Sequence, residues 1–370
     1  MKNKIESRVP DYIKTLKAYE PGKPVEEVER ELGVRNIVKM ASNENPLGPS
    51  PKAIKAIRDV AGKTHFYPEG DCYYLRQRAI KAFGVRSEEL IFGNGSNELI
   101  ELLMRCLVRT GDNIVVSRHA FLVYKLVAQG MGARTLEAPA KNLGHDLDAM
   151  ARLINDRTKI IFVANPNNPT GTYCDRLSLV KFLKASKGVP VVMDEAYCEF
   201  VEAKDYPRTQ RLLKQFPNIF ILRTFSKIYG LAGLRIGYGI GSPALVQYLN
   251  RLRQPFNVNL VAQYAAMAAL GDRGHVARSL RVNAEGKKFL YAQLKKNGIW
   301  YQPTEANFIL VRVGDGRRVF NAMLRHGVVV RPMDVYGLPE HIRVTVDVEK
   351  NNRKFMRALL KTLGGKLPNA

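Results

Sequence analysis

Ile219-Phe220-Ile221-Leu222-Arg223-Thr224-Phe225-Ser226-Lys227-Ile228-Tyr229-Gly230-Leu231-Ala232-Gly233-Leu234-Arg235-Ile236-Gly237-Tyr238-Gly239 is the stretch from which the fold is read. A short apolar run, Ile219 to Leu222, enters a loop of hydroxyls, glycines and one lysine, and a second run, Arg235 to Gly239, follows it. Brief apolar runs of this kind mark strands buried on both faces. Three more lie upstream, at Ile114-Val115-Val116, Lys159-Ile160-Ile161-Phe162-Val163 and Val189-Pro190-Val191-Val192-Met193. Helical spacing fills the intervals at Glu98 to Val108, Leu177 to Ala185 and the Ala-rich Leu260 to Leu270. The alternation predicts βαβ units and a mainly parallel sheet.

From about Gly271 the pattern changes. A basic helical stretch, Ala277 to Leu294, leads to strand-like runs at Asn307 to Val311, Gly327 to Val330 and Ile342 to Val346, and a helix from Asn351 to Leu363 follows, which together suggest an α+β module. The chain is accordingly divided into a large α/β domain, 42–265, and a smaller α+β domain built from 1–41 and 266–370.

The chain has 370 residues, 46% hydrophobic and 25% charged, which fits one or two folded domains and argues against disorder, collagen-like repeats and long coiled coils. No apolar run approaches the ~18 residues of a membrane span, and the N-terminal residues lack the apolar core of a signal peptide, so a cytoplasmic location is expected. Cys72, Cys106, Cys174 and Cys198 form no C-x-x-C pair, and there is no H-E-x-x-H, so reduced thiols and no metal site are expected. His65, His119 and His145 are read as surface or supporting histidines, and Trp300 as packing. The net charge of +24 is scattered from Lys2 to Lys366 without a nucleic-acid-binding motif, so nucleic acid is not the expected partner.

Four loops carry chemistry. Ligands of open α/β sheets bind outside the carboxyl ends of the strands, so conspicuous polar residues after several strands should converge on one site. Gly93-Asn94-Gly95-Ser96-Asn97 opens a helix, and its N–H groups make an anion site. Asn165-Pro166-Asn167-Asn168-Pro169-Thr170-Gly171 combines a proline-fixed turn with amides free to point into a crevice. Asp194-Glu195-Ala196-Tyr197 puts an acid at a strand end, where a carboxylate needs a cation or a proton donor. In the opening stretch Lys227 can serve as a point charge on a phosphate or as a desolvated amine that forms a Schiff base. Thr224, Ser226 and Arg235 already supply phosphate donors, which favours the second use.

These loops resemble those of the fold type I pyridoxal-phosphate enzymes, and most closely the histidinol-phosphate aminotransferase family. The resemblance covers nearly the whole chain. It extends to Ala41-Ser42-Asn43-Glu44-Asn45-Pro46-Leu47-Gly48-Pro49, Tyr67-Pro68, Arg253 to Asn259, Ala306-Asn307-Phe308, Val330-Arg331-Pro332 and Gly337 to Val346. It implies the PLP-dependent transferase fold type I: a large domain whose mainly parallel seven-stranded sheet is sandwiched by helices, plus a smaller α+β domain. It implies pyridoxal 5'-phosphate bound as a Schiff base to Lys227, which also moves the substrate proton. Asp194 would face the pyridine nitrogen, Asn168 and Tyr197 the phenolic oxygen, and Phe121 the ring plane, with Tyr124 nearby. Ser96, Asn97, Thr224, Ser226 and Arg235 would hold the phosphate, and Tyr67 would reach the partner's phosphate in a homodimer. Arg331 and Arg343 would clamp the substrate's anionic group, with Tyr19, Asn43, Tyr124 and Asn168 around it.

The reaction so implied is L-histidinol phosphate plus 2-oxoglutarate giving imidazole-acetol phosphate plus L-glutamate, a step of histidine biosynthesis. Two departures bear on substrate preference: Arg118-His119-Ala120-Phe121 where the family often has a tyrosine, and Cys72-Tyr73-Tyr74 after Tyr67-Pro68. The alternatives that share this cofactor machinery are an aromatic amino acid aminotransferase and a threonine-phosphate decarboxylase-like enzyme. From another class, a cofactor-binding regulatory protein would need a DNA-binding domain, and none is visible.

Overall fold

The computed structural model describes residues 5–18 and 22–364. A seven-stranded sheet is built from β1 (Leu90–Gly93), β2 (Asn113–Ser117), β3 (Arg134–Ala138), β4 (Thr158–Ala164), β5 (Val191–Asp194), β6 (Ile219–Thr224) and β7 (Gly237–Ile240). Their spatial order is β1-β7-β6-β5-β4-β2-β3. β7 runs antiparallel to both of its neighbours, and the other adjacent pairs are parallel. The ends of β1, β4, β5 and β6 therefore open on the same edge of the sheet.

The apolar runs are continuous because both faces are covered. Val115, Ile161, Val163, Val191, Met193, Ile219 and Ile221 point to one core, and Ile114, Val116, Ile160, Phe162, Val192, Phe220 and Leu222 to the other. Successive strand residues face opposite sides, so each strand supplies both layers. The second layer includes α1 (Gly95–Leu107) and α2 (Leu122–Gly130), and the first includes α3 (Leu260–Leu270).

Beyond α3, the 24-residue α4 (Arg273–Lys296) crosses to a four-stranded antiparallel sheet. Its strands are β8 (Tyr301–Gln302), β9 (Phe308–Arg312), β10 (Arg331–Pro332) and β11 (His341–Thr345), in the order β8-β9-β11-β10. α4 and α5 (Glu349–Thr362) cover it through Leu290, Leu294, Phe355 and Leu359. The N-terminal segment joins this unit: Val38–Lys39 pairs in parallel with Val328–Val329, and the Thr345 N–H donates to the Met40 carbonyl at 2.8 Å.

Several sequence expectations differ from the structure. β1 and β3 carry too little pattern to be read: β1 is four residues ending in glycine, and β3 alternates Arg, Thr, Leu and Glu at the sheet edge. The run from Arg235 is a strand only from Gly237, because Arg235 itself has left-handed backbone with φ 55°. Val189 and Pro190 precede β5. The 265/266 division falls inside α3, whose Ala265, Ala266 and Ala269 lie in the core of the large sheet. Among the described residues no helix is long and apolar enough to cross a membrane.

Candidate active site

A cleft of about 390 Å³ opens where the strand ends of the large sheet meet the small sheet. Lys227, Asp194, Tyr197, Asn168, Ser96, Asn97, Phe121, Tyr124, Thr224, Ser226, Arg235, Asn43, Arg331 and Arg343 all line it. Tyr67 does not. It is 81% exposed and stacks on Phe256 at 4.8 Å, on an aromatic face that also carries Phe66. Tyr19 lies outside the described residues.

Lys227 follows β6, and its Nζ donates to the Ser42 carbonyl at 2.9 Å. Burial, reinforced by the Arg343 and Arg235 charges, pushes its amine down from 10.5 to about 7. Asp194 ends β5. Its Oδ2 accepts from the Tyr124 hydroxyl at 2.6 Å and its Oδ1 from the Ala196 N–H at 3.2 Å. Burial pushes its carboxyl up, against the pull of the Tyr124 hydrogen bond. The Tyr197 hydroxyl accepts from Asn43 Nδ2 at 2.9 Å, and burial raises its pKa to about 12.

One wall is an anion cup. Ser96 and Asn97 stand in the first turn of α1, where unpaired N–H groups and the dipole favour negative charge. Gly95 is favoured there by its left-handed backbone, φ 79°, which side chains rarely adopt, and a Cβ would also press on Arg235 Nη2 at 2.8 Å. The left-handed turn at Arg235 is what returns its guanidinium to this helix start. The Ser226 N–H donates to Thr224 Oγ1 at 3.0 Å, bending the loop after β6 around the same space.

The opposite wall comes from the small sheet, where Arg331 on β10 stands directly across from Arg343 on β11. Cross-strand like charges repel, and an anion between them relieves the cost. Arg343 is braced by Asn168 Oδ1, by the Ala41 carbonyl at 2.7 Å and by the Phe308 ring, 5.3 Å from its centroid.

Of the asparagines in the 165–171 loop only Asn168 lines the cleft. Asn165 and Asn167 turn inward, donating to the Cys174 carbonyl at 3.2 Å and to Thr170 Oγ1 at 2.8 Å. They shape a turn whose Asn165-Pro166 and Asn168-Pro169 bonds are cis. Sequence reasoning missed Tyr336, Gly22 and the Ser42 carbonyl. Tyr336 is 6% exposed in the short turn Asp334–Tyr336, and only its place beside Gly337 in a quoted motif marked it.

The fold and the cleft together define an aminotransferase of class I and II, and residues 35–359 match the family model of that description. The chain is 49% identical to the histidinol-phosphate aminotransferase of Moorella thermoacetica, over 95% of this chain and 92% of that one. It is 48% identical to that of Anaeromyxobacter sp., over 96% and 99%. The crystal structure of histidinol-phosphate aminotransferase from Sinorhizobium meliloti in complex with pyridoxal-5'-phosphate superposes with a TM-score of 0.89 at 27% identity, covering 97% of this chain and 98% of that one. The chain belongs to the histidinol-phosphate aminotransferase family.

Proposed function

We propose that the protein transfers the amino group of L-histidinol phosphate to 2-oxoglutarate, giving imidazole-acetol phosphate and L-glutamate in histidine biosynthesis. Pyridoxal 5'-phosphate is its cofactor. One observation carries the reading: an amine held at about 7, a buried acid and two opposed arginines share a single cleft.

The residues present fit that cofactor. The cup at the start of α1, kept open by the absence of a Cβ at Gly95, has the hydroxyls and guanidinium that a phosphate dianion needs. Ser96, Asn97, Thr224, Ser226 and Arg235 would hold the phosphate, Phe121 would face the ring, and Asp194 would take the ring nitrogen. Asn168 and Tyr197 serve the ring oxygen; the Tyr197 hydroxyl already accepts from Asn43, so its own proton points elsewhere. When bound, the cofactor supplies an aldehyde for amine capture and a protonated ring that accepts electron density.

The chain's own groups do the rest. Lys227, neutral for part of the time near pH 7, takes the proton from the substrate's α-carbon and holds it at Nζ. Arg331 and Arg343 clamp the anionic group of each substrate in turn, with Asn43 and Asn168 alongside. The excess of basic groups favours capture of anionic small molecules.

We further infer a homodimer of cytoplasmic location in which Tyr67 reaches the partner's cofactor phosphate. Its exposed stacked ring supports this. We place the boundary between the two units at Gly271-Asp272, between α3 and α4. The deciding experiment is spectroscopic: purified protein carries a cofactor absorbance band that Lys227→Ala removes and that histidinol phosphate, without an acceptor, bleaches. Bleaching by phenylalanine but not by histidinol phosphate would overturn the substrate assignment.

A further inference from the structure

We propose that Tyr124 is a positioning residue for the acid: by donating to Asp194 Oδ2, its phenol keeps that carboxyl group ionised and in a single orientation for the cofactor's ring nitrogen. The inference rests on the reading that pyridoxal phosphate occupies this cleft.

The geometry leaves Tyr124 little other use. The side chain is 0% exposed, and its hydroxyl meets Asp194 at 2.6 Å, in the range of a short charge-assisted bond. Its ring is stacked on Phe162, with centroids 4.4 Å apart and planes 13° apart, and Phe121 meets it edge-on at 5.7 Å. The phenol is therefore fixed in direction by the core of the large sheet. Tyr124 comes from α2 and Asp194 from β5, so the contact joins two layers of the fold.

The chemistry makes the contact consequential. A carboxylate removed from water tends to protonate, and burial pushes Asp194 in that direction. A protonated acid has no negative charge with which to keep the ring nitrogen protonated, and the ring then loses its draw on electrons. Other groups face Asp194. Glu195 opposes ionisation, but its carboxylate is turned to Arg223 at 2.8 Å. The Lys227 amine and the Ala196 N–H favour it, and Tyr197 stands nearby. Among these, the Tyr124 hydroxyl is the largest stabilising influence on the ionised form.

The test uses apo-protein and pyridoxal phosphate alone, titrated by absorbance across the acid and neutral range. Tyr124→Phe removes one oxygen and keeps the ring. It weakens cofactor binding about ten- to a hundredfold, and the acid limb of the binding profile moves to higher pH. In the loaded variant kcat falls while KM for the amino donor holds. In an Asp194→Asn background the same change has no further effect on binding. Wild-type affinity with an unmoved acid limb overturns the proposal. So does a raised donor KM with kcat and cofactor binding unchanged, or an additive loss in the Asp194→Asn background. Wild-type protein that takes up no cofactor overturns the reading of the cleft and this inference with it, whereas a wild type that binds and a variant that matches it overturn this inference alone.

Discussion

Lys227 donates a hydrogen bond to the carbonyl oxygen of Ser42, 185 positions earlier in the chain, at 2.9 Å. Ser42 belongs to the segment that crosses from the small sheet, where the neighbouring Asn43 N–H binds Thr345 Oγ1 at 2.9 Å. The reactive amine is thus held by backbone anchored to one unit while its own loop hangs from a strand of the other. Its charge state is set across the same boundary, since Arg343 of the small sheet is the strongest electrostatic influence on it after burial.

Cofactor capture should follow the titration of that amine. Below about pH 7 Lys227 is protonated and cannot attack a carbonyl; above it the free amine dominates. The rate at which apo-protein takes up pyridoxal phosphate, measured by stopped-flow absorbance, rises through about pH 7 and then levels off. Stability follows the same sign. The unfolded lysine, near 10.5, holds its proton where the folded one has lost it, so this residue's contribution to stability grows as pH rises from about 7 to 10.5. A capture rate that climbs only near the ordinary lysine value would contradict the assignment.

Arg343→Lys keeps the charge but loses the planar fork that engages Asn168 and the Ala41 carbonyl. Both substrates should show KM raised by about ten- to a hundredfold in steady-state assays, with cofactor affinity much less changed. Equal KM values for variant and parent would remove Arg343 from the substrate clamp.

Mixing subunits tests Tyr67. Tyr67→Phe weakens cofactor binding, and Lys227→Ala is inactive. If Tyr67 serves the partner, a hybrid of the two recovers one intact site and an activity above either parent homodimer. Were Tyr67 to serve its own subunit, hybrids would gain nothing.

The buried pair beneath the site governs stability. Glu195, 1% exposed, accepts from Arg223 Nε at 2.9 Å and Nη2 at 2.8 Å, joining the ends of β5 and β6. Glu195→Gln removes the carboxylate that takes two hydrogen bonds from Arg223, leaving Glu199 to face that partly exposed guanidinium, and chemical denaturation should show a loss of roughly 1–3 kcal/mol. A loss within the range of ordinary surface substitutions would mean that water reaches this pair.

The loop behind β6 gives a second stability test. Gly230 has φ 68°, and a Cβ there would come within 2.1 Å of the Gly48 carbonyl oxygen. Gly230→Ala must displace the loop that carries Lys227, so both melting temperature and cofactor affinity fall. Unchanged values for both would show that the loop can move without disturbing the amine.

Most of the candidate site was legible because its residues lie in short polar runs just after apolar strands. Asp194 after Val191–Met193 and Lys227 after Ile219–Thr224 are local signals: a buried strand followed at once by a charge is costly unless the charge is used. β1 and β3 escaped because four residues, or an edge strand with charges, carry no period. The amides of Asn165 and Asn167 could not be told from that of Asn168 by composition, since which of them faces the cleft depends on the path of the turn. That the apolar face of α3, which spans residues 265 and 266, is committed to the large sheet is likewise set by packing that sequence spacing does not reveal.

The amino-acid sequence alone determined the alternation of strands and helices, the four chemically loaded loops and their family likeness, because each is written in neighbours a few residues apart. Tertiary structure alone decided that Tyr124 meets Asp194, that Ser42 holds Lys227, that Arg331 opposes Arg343 and that Tyr67 faces outward. These depend on register and on the packing of layers, which join residues 12, 70 and 185 positions apart and leave no periodic trace in the chain.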